Sequence, residues 1–382
     1  MYRLTAEQEA IVAKARAAAS SIIASRAAEV DEKGIFPAEG MKALGDAGLW
    51  GLLVPAEQGG LGQSLRTVAA VVDVIAQHCG STAMVFMMHQ CGVNCYAADP
   101  VKFASVLREA AAGRHLATLA FSEKGSRSQF WAPVSKAVTS GNGVSLSAEK
   151  SWVTSAGVAD GIVASCGSEA GPGPSVYLVK KEDAGQSISG GWNSLGMRGN
   201  QSNPVSLKEV QLNPAERLIG TDGKGDDIML GRALPVFQIC QGAIGAGLAE
   251  AAFAAAQKHI TGHGFEHTGT KLSDLPNLRA SLARMRMETD KARAYLAAAL
   301  DKLETGAPDA MLHVLAVKAV SGETAVEVSD LAMRACGGAA FSKHLGLERV
   351  FRDARAAIVM APTTDHLREF VGRVLVGLPL FG

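Results

Sequence analysis

The period of the hydrophobic pattern changes twice along this chain, and those two changes limit the fold more than any single motif does. Up to about residue 115 apolar residues recur at helical spacing. From about residue 116 the pattern breaks into short β-branched or alternating runs, at 116–121, 133–139, 144–149, 161–166, 175–180 and 205–211, with Gly, Ser and Pro between them. From Asp226 the helical period returns in four long segments, 226–260, 272–302, 307–335 and 346–376. The expected fold class is therefore α+β. It has an N-terminal all-helical domain (1–115), a central, mostly antiparallel β barrel or sandwich (116–225) and a C-terminal four-helix bundle (226–382).

Local punctuation supports the helices. Thr5 with Gln8 three residues on resembles a capping box opening the first helix. Pro37 stands near the start of a short helix carrying Met41, Leu44 and Ala47, weakened and ended by Gly45, Gly48 and Gly51. Segments 66–80 and 82–96 are apolar enough to be helices buried on several sides. In all, 382 residues that are 48% apolar and 19% charged suffice for a large core.

Charge and motif content remove several function classes. Lys+Arg and Asp+Glu both number 37, so bulk charge draws the chain neither to nucleic acid nor to anionic lipid. No run reaches the 18 apolar residues of a membrane span, and the N-terminus has no signal-peptide core. A cytoplasmic protein without membrane insertion is expected. The six cysteines are scattered with no CxxC, which suits buried free thiols and no metal site. GxGxxG after a strand, Walker, HExxH and GxSxG motifs are all absent.

Four segments carry candidate chemistry. FSEKGS (121–126) ends a strand in a turn whose N–H groups suit an anion or the polar edge of a heterocycle, or is an ordinary turn. In KSWVTSAG (150–157), Trp152 and Thr154 share a strand face, giving a flat wall beside a hydroxyl. LGMRGN (195–200) has glycines that permit close backbone approach. CGGAAF (336–341) is either a helix-to-helix turn or a ligand approach; Arg349, Arg352, Asp353 and Arg355 beyond it read as structural pairs.

Taken in order, with PAEQGGLG at 55–62 and LERVFRDAR at 347–355, these pieces resemble motifs of the acyl-CoA dehydrogenase superfamily. The resemblance implies a homotetramer or dimer holding FAD between the β domain and the bundle. Phe121, Ser122, Trp152 and Thr154 would then meet the isoalloxazine. Gly337, Gly338 and Arg334 (in place of a glutamine) would lie by its phosphate or ADP portion from a partner chain. A CoA thioester substrate is implied, with an electron-transfer flavoprotein as electron acceptor.

The departures from that pattern are chemical. The family's YEGT glutamate, which takes the substrate α-proton, is replaced by Ala361 in Val359-Met360-Ala361-Pro362-Thr363. The alternative base position on the first long bundle helix is Pro235, and the arginine of the RxxFG motif falls near Phe265. His89, in the apolar run MVFMMHQCG, is either a partnered core histidine or a substitute base. Ser128, Phe130 and Trp131, with Met360 and Ala361, are candidates for the substrate pocket. The principal expectation is a flavin oxidoreductase acting on an acyl thioester by a route that does not use the C-terminal glutamate. The alternatives are a two-component monooxygenase, using FMN or transiently bound reduced flavin from a flavin reductase, and an inactive scaffold or binding subunit.

Overall fold

A computed structural model describes residues 2–127 and 129–380. The N-terminal part is formed by α1 (Ala6–Ala18), α2 (Ala24–Lys33), α3 (Ala38–Asp46), α4 (Leu65–Ala76), α5 (Gly80–Tyr96) and α6 (Ala104–Ala111). A π-helical turn, Ala19–Ile23, joins α1 to α2. The Thr5–Gln8 capping box is formed reciprocally. Helix α5 is buried along nearly its whole length, since α4, the strand Ala117–Ala120 and the long helix Leu234–Gly262 all pack on it.

The strands are β1 (Ala117–Ala120), β2 (Lys136–Ser140), β3 (Gly143–Val153), β4 (Gly161–Gly167), β5 (Pro174–Lys180), β6 (Gln186–Ile188), β7 (Asn203–Leu212) and β8 (Leu218–Ile219). They make one eight-stranded sheet in the order β6-β7-β3-β2-β4-β5-β8, with β1 against β4. The expected barrel is not closed, because β6 and β8 end the order unpaired with each other. The sheet is also mixed. β1 runs parallel to β4 over four residue pairs, and β2 meets β4 in parallel at Lys136 and Gly167 alone. That thin join lets the β3/β7 half and the β4/β5 half fold over a shared core of Leu146, Val205, Leu207, Ile162, Tyr177 and Val179. The other faces of β4 and β5, at Val163, Val176 and Leu178, join the helical core instead. Strands buried on both faces read as unbroken apolar runs, which explains the lack of alternation in these two.

Short helices α7 (Pro214–Arg217) and α8 (Asp226–Ile228) lead, through a π-helical turn at Met229–Ala233, to α9 (Leu234–Gly262). A small hairpin of β9 (Gly264–Phe265) and β10 (Thr270–Lys271) follows. Then come α10 (Pro276–Glu304), α11 (Ala310–Cys336), α12 (Gly338–Phe341), α13 (Leu347–Val359) and α14 (Thr364–Leu375). The expected fourth bundle helix is thus two helices, broken at 360–363 where Pro362 has no N–H to continue the ladder. The continuous helix Asp226–Gly262 is long and apolar enough to cross a membrane, yet it is mostly buried against α4, α5, α10 and α11. A stretch of high mean hydropathy within it, not an unbroken apolar run, gives it that character. All six cysteines are buried and free.

Candidate active site

A cavity of about 480 Å³ opens between the sheet, the N-terminal helix α5 and the C-terminal helices α9 and α13. On the sheet side its wall is built by the turn that leaves β1. Phe121 and Ser122 line it, and the Ser122 carbonyl accepts the Ser151 N–H at 2.9 Å. The next residue, Glu123, turns inward. It is 1% exposed and accepts from Lys150 Nζ at 2.6 Å, from the Val134 N–H at 2.7 Å and from the Ser135 N–H at 2.8 Å. Burial alone would raise its carboxyl, but the Lys150 ammonium and the Ser135 hydrogen bonds outweigh it and hold the group below the usual range. Lys150 Nζ also donates to the Ser165 carbonyl at 2.5 Å, so the staple reaches β4.

Trp152 stands at the mouth. The β3–β7 register shifts between Lys150 and Val153, and Trp152 takes φ +56° in that bulge. Its indole is 67% exposed and meets Trp192 edge-on at 5.6 Å. Thr154 lies deeper, at 4% exposure, with its hydroxyl 3.0 Å from that of Ser202. The 194–197 turn completes this side. Gly196 approaches α13 so closely that a Cβ would sit 2.3 Å from the Arg352 carbonyl, so only glycine fits. The Met197 N–H donates to Asp353 Oδ1 at 2.5 Å, and burial pushes that carboxyl up to about 6.

The helical side is apolar. Met84 and Met88 face the cavity from successive turns of α5, Leu234 and Phe237 from α9, Val359 from the end of α13, and Met360, Ala361 and Pro362 from the α13–α14 break. That break is held from below by Lys318. It is fully buried and donates to the carbonyls of Ala357, Met360 and Pro362 at 3.1, 3.0 and 2.8 Å. Burial pushes its ammonium down to about 7. Among the described lining residues the only charges are Arg352 and Arg355. Arg352 is committed to Asp31 at 2.9 and 2.5 Å, while the Arg355 guanidinium lies 4.2 Å over the Phe351 ring. No Asp, Glu, His, Lys, Cys or Tyr lines the described wall.

Of the residues expected from sequence, the cavity brings together Phe121, Ser122, Trp152, Thr154, Phe130, Met360 and Ala361. Trp131 stands behind Phe130, edge-on at 5.2 Å, and does not line it. Ser128 lies outside the described residues. The expectation for His89 as a substitute base is corrected. Its Nε2–H donates to the Trp50 carbonyl at 3.0 Å, and its Nδ1 accepts the Ala117 N–H at 3.1 Å. Both nitrogens are spent on backbone, the ring is fully buried, and burial pushes it down to about 3. One residue beyond Met88, it is rotated off the cavity face of α5. Arg334 is surface-exposed and pairs with Asp330 at 3.0 Å, and Gly337 and Gly338 face open space, all outside this cavity.

Sequence reasoning missed Arg352, Arg355, Asn200, Met84, Met88 and Phe237 on the wall. Only the methionine pair at i,i+4 in an otherwise uniform helix marked itself, as a soft, adaptable surface. The arginines read as helix-surface pairs because their direction depends on how α13 docks.

The donor set suits the ring system of a flavin. The Trp152 indole gives a flat face, braced edge-on by Trp192, and Ser122, Thr154 and Ser202 add hydroxyls to the lining of a largely apolar cavity. Among the described residues no group of His, Cys, Asp and Glu is placed to hold a metal.

The chain matches the acyl-CoA dehydrogenase N-terminal domain over residues 5–101, the middle domain over 118–210 and the C-terminal domain over 223–376. It is 28% identical to cyclohex-1-ene-1-carbonyl-CoA dehydrogenase of Geobacter metallireducens, across 98% of this chain and 100% of that one. Its fold matches butyryl-CoA dehydrogenase from Megasphaera elsdenii with a TM-score of 0.91 at 21% identity, covering 98% and 99% of the two chains. It also matches FMN-bound TdsC from Paenibacillus sp. A11-2 with a TM-score of 0.86 at 22% identity, covering 98% and 99%. With all three domains matched in order around this cavity, the chain belongs to the acyl-CoA dehydrogenase family of flavin-dependent oxidoreductases.

Proposed function

We propose that this protein oxidises a CH–CH bond of an acyl thioester without a carboxylate base of its own. The observation that carries the reading is the cavity wall at the α13–α14 break. Ala361 lines the wall where, by the sequence resemblance, the family carries its glutamate, and no described residue on the wall is a carboxylate, imidazole, amine, thiol or phenol. FAD, with FMN as the alternative, would supply the two-electron acceptor for the hydride that leaves the β-carbon. The hydroxyls of Ser122 and Thr154 would hold the polar edge of that ring, and Trp152 would cover it at the mouth. Met84, Met88, Phe130 and Phe237 would give the acyl chain an apolar bed around the β-carbon. The α-proton leaves to water at the mouth or to a basic group of the substrate itself. An electron-transfer flavoprotein is the acceptor that fits, and a homotetramer or dimer the assembly that brings Gly337, Gly338 and Arg334 to a neighbour's cofactor.

The experiment is the absorbance spectrum of the gel-filtered protein, followed by anaerobic titration with a panel of acyl-CoAs. Expected are bound FAD and slow bleaching by at least one thioester. The Ala361→Glu variant should bleach faster by about 10²–10⁴-fold, the usual worth of a positioned base. If neither protein bleaches with, or binds, any thioester, the reading fails.

The same missing base favours a second reading, a two-component monooxygenase, because oxygen activation on reduced flavin needs no α-proton acceptor. A colourless protein that binds reduced flavin far more tightly than oxidised flavin selects it. Failure to bind either form leaves a scaffold or binding subunit.

A further inference from the structure

Two buried glutamines beside the cavity have more hydrogen-bonding capacity than the fold uses. On α9, Leu234 and Phe237 line the cavity, and Gln238 and Gln241 each follow one of them by four residues, one turn further along the same faces. Gln241 is 1% exposed. Its Nε2 points to the sulfurs of Met360 at 3.2 Å and Met84 at 3.5 Å, both on the cavity wall. Thioethers are weak acceptors, and Gln241 Oε1 has no partner among the described residues. Gln238 is fully buried, with neither amide atom partnered. A buried amide left in this state is costly, and native interiors resolve it with a partner.

The arrangement is specific. Gln241 stands directly behind two methionines, the side chains best able to swing aside. Its amide offers an acceptor and a donor side by side, which complements a hydroxyl that gives one hydrogen bond and takes another. The surrounding wall of Phe130, Phe237, Met84 and Met360 suits the apolar body of the group that carries the hydroxyl.

We propose that Gln241, backed by Gln238, is a polar subsite of the cavity that recognises a hydroxyl on the acyl group of the substrate. The assignment rests on the reading of this cavity as the acyl site, and it narrows the substrate class from acyl thioesters to hydroxylated ones. It makes Gln241 a specificity-determining residue, not part of the redox chemistry.

The test compares benzoyl-CoA with 3- and 4-hydroxybenzoyl-CoA by calorimetry on the FAD-saturated protein. These bind without turnover, so affinity is read apart from chemistry. One hydroxylated isomer should bind about 10-fold or more tightly than benzoyl-CoA, as expected where a site's polar groups go unpaired without the hydroxyl. In Gln241→Leu that preference should fall to about unity through weakening of the hydroxylated ligand alone. Its Tm should be unchanged or higher, since an unpartnered amide has been removed. Equal affinities in the wild type, a preference that survives Gln241→Leu, or a lowered Tm overturns the subsite and assigns the amide to packing or internal water. If no CoA thioester binds, the thioester reading fails separately. The S-methyl thiobenzoates with and without the hydroxyl then decide the subsite by the same criteria, and failure of both to bind overturns it.

Discussion

His89 and Ala361 divide the acid–base question between them. The histidine that the chain keeps is locked away from the cavity, and the position that faces the cavity carries a methyl group. A neutral imidazole with both nitrogens bonded to backbone has no low-cost protonated state in the fold, which is why burial takes it to about 3. The consequence for stability has a definite sign. The folded state binds this proton only near pH 3, whereas the unfolded chain takes it up from about pH 6.5 downward. Stability contributed by the neutral ring is present above pH 6.5 and is lost as pH falls from there toward 3, by at most about 1.4 kcal/mol per pH unit. Denaturant unfolding at pH 7, 6, 5 and 4 should show wild type losing more stability than His89→Gln, which does not titrate. Parallel loss in the two proteins would contradict the assignment. The thioester chemistry should show no matching dependence on this group.

Three segments of the cavity wall lack regular structure, and each is held by a buried charge on a neighbouring element. Lys150 on β3 holds the turn after β1 through Glu123, Asp353 and Arg352 on α13 hold the 194–197 turn, and Lys318 on α11 holds the α13–α14 break. Loops that must present backbone to a ligand cannot be fixed by a ladder, so side chains from rigid elements fix them. The Glu123–Lys150 pair is the most enclosed, with both side chains at 1% exposure or less. Lys150→Met leaves the Glu123 carboxylate buried and uncompensated, and should cost about 3–5 kcal/mol in denaturant unfolding. A cost below about 1 kcal/mol would mean that the pair is dispensable. These staples also mark where sequence reading stops. The switch from helical to strand period, the Thr5 cap and the glycine turns are local, and each could be read from a few neighbouring residues. The parallel β1–β4 pairing joins residues more than forty apart, and no local pattern encodes it. Lys318 sits in a helical pattern where a lysine ordinarily reads as solvent-facing. The cavity-facing arginines and Phe237 are equally silent, because helix docking decides which face becomes a wall. Motif order therefore pointed to Phe121, Ser122, Trp152, Thr154, Phe130, Met360 and Ala361 on the wall, while Met84, Met88, Phe237 and the arginines became visible only with the packing.

At the scale of the whole molecule the cavity is a seam. Its walls come from the N-terminal helix α5, the sheet, and the C-terminal helices α9 and α13, and one apolar core runs through the helices to the outer faces of β4 and β5. A ligand in the seam therefore touches every part of the chain at once and stabilises them together. Binding to the folded state alone adds RT ln(1 + [L]/Kd), about 2.7 kcal/mol at a hundredfold excess over Kd. Scanning calorimetry with FAD at that excess should move a single cooperative transition upward, not split it into a sheet step and a helical step. Trp152 gives the control. At 67% exposure its indole adds little to the fold without ligand, but it forms the wall against which the ring would lie. Trp152→Ala should leave the transition of the ligand-free protein within about a degree of wild type, since exposed truncations seldom exceed about 0.5 kcal/mol. It should also cut the FAD-induced rise by about a fifth to a half, since stacking against an aromatic wall is worth about 0.5–1.5 kcal/mol beyond the area it buries. A full FAD shift in Trp152→Ala would put the ring elsewhere than against this tryptophan, and two separated transitions would mean that the seam does not couple its walls.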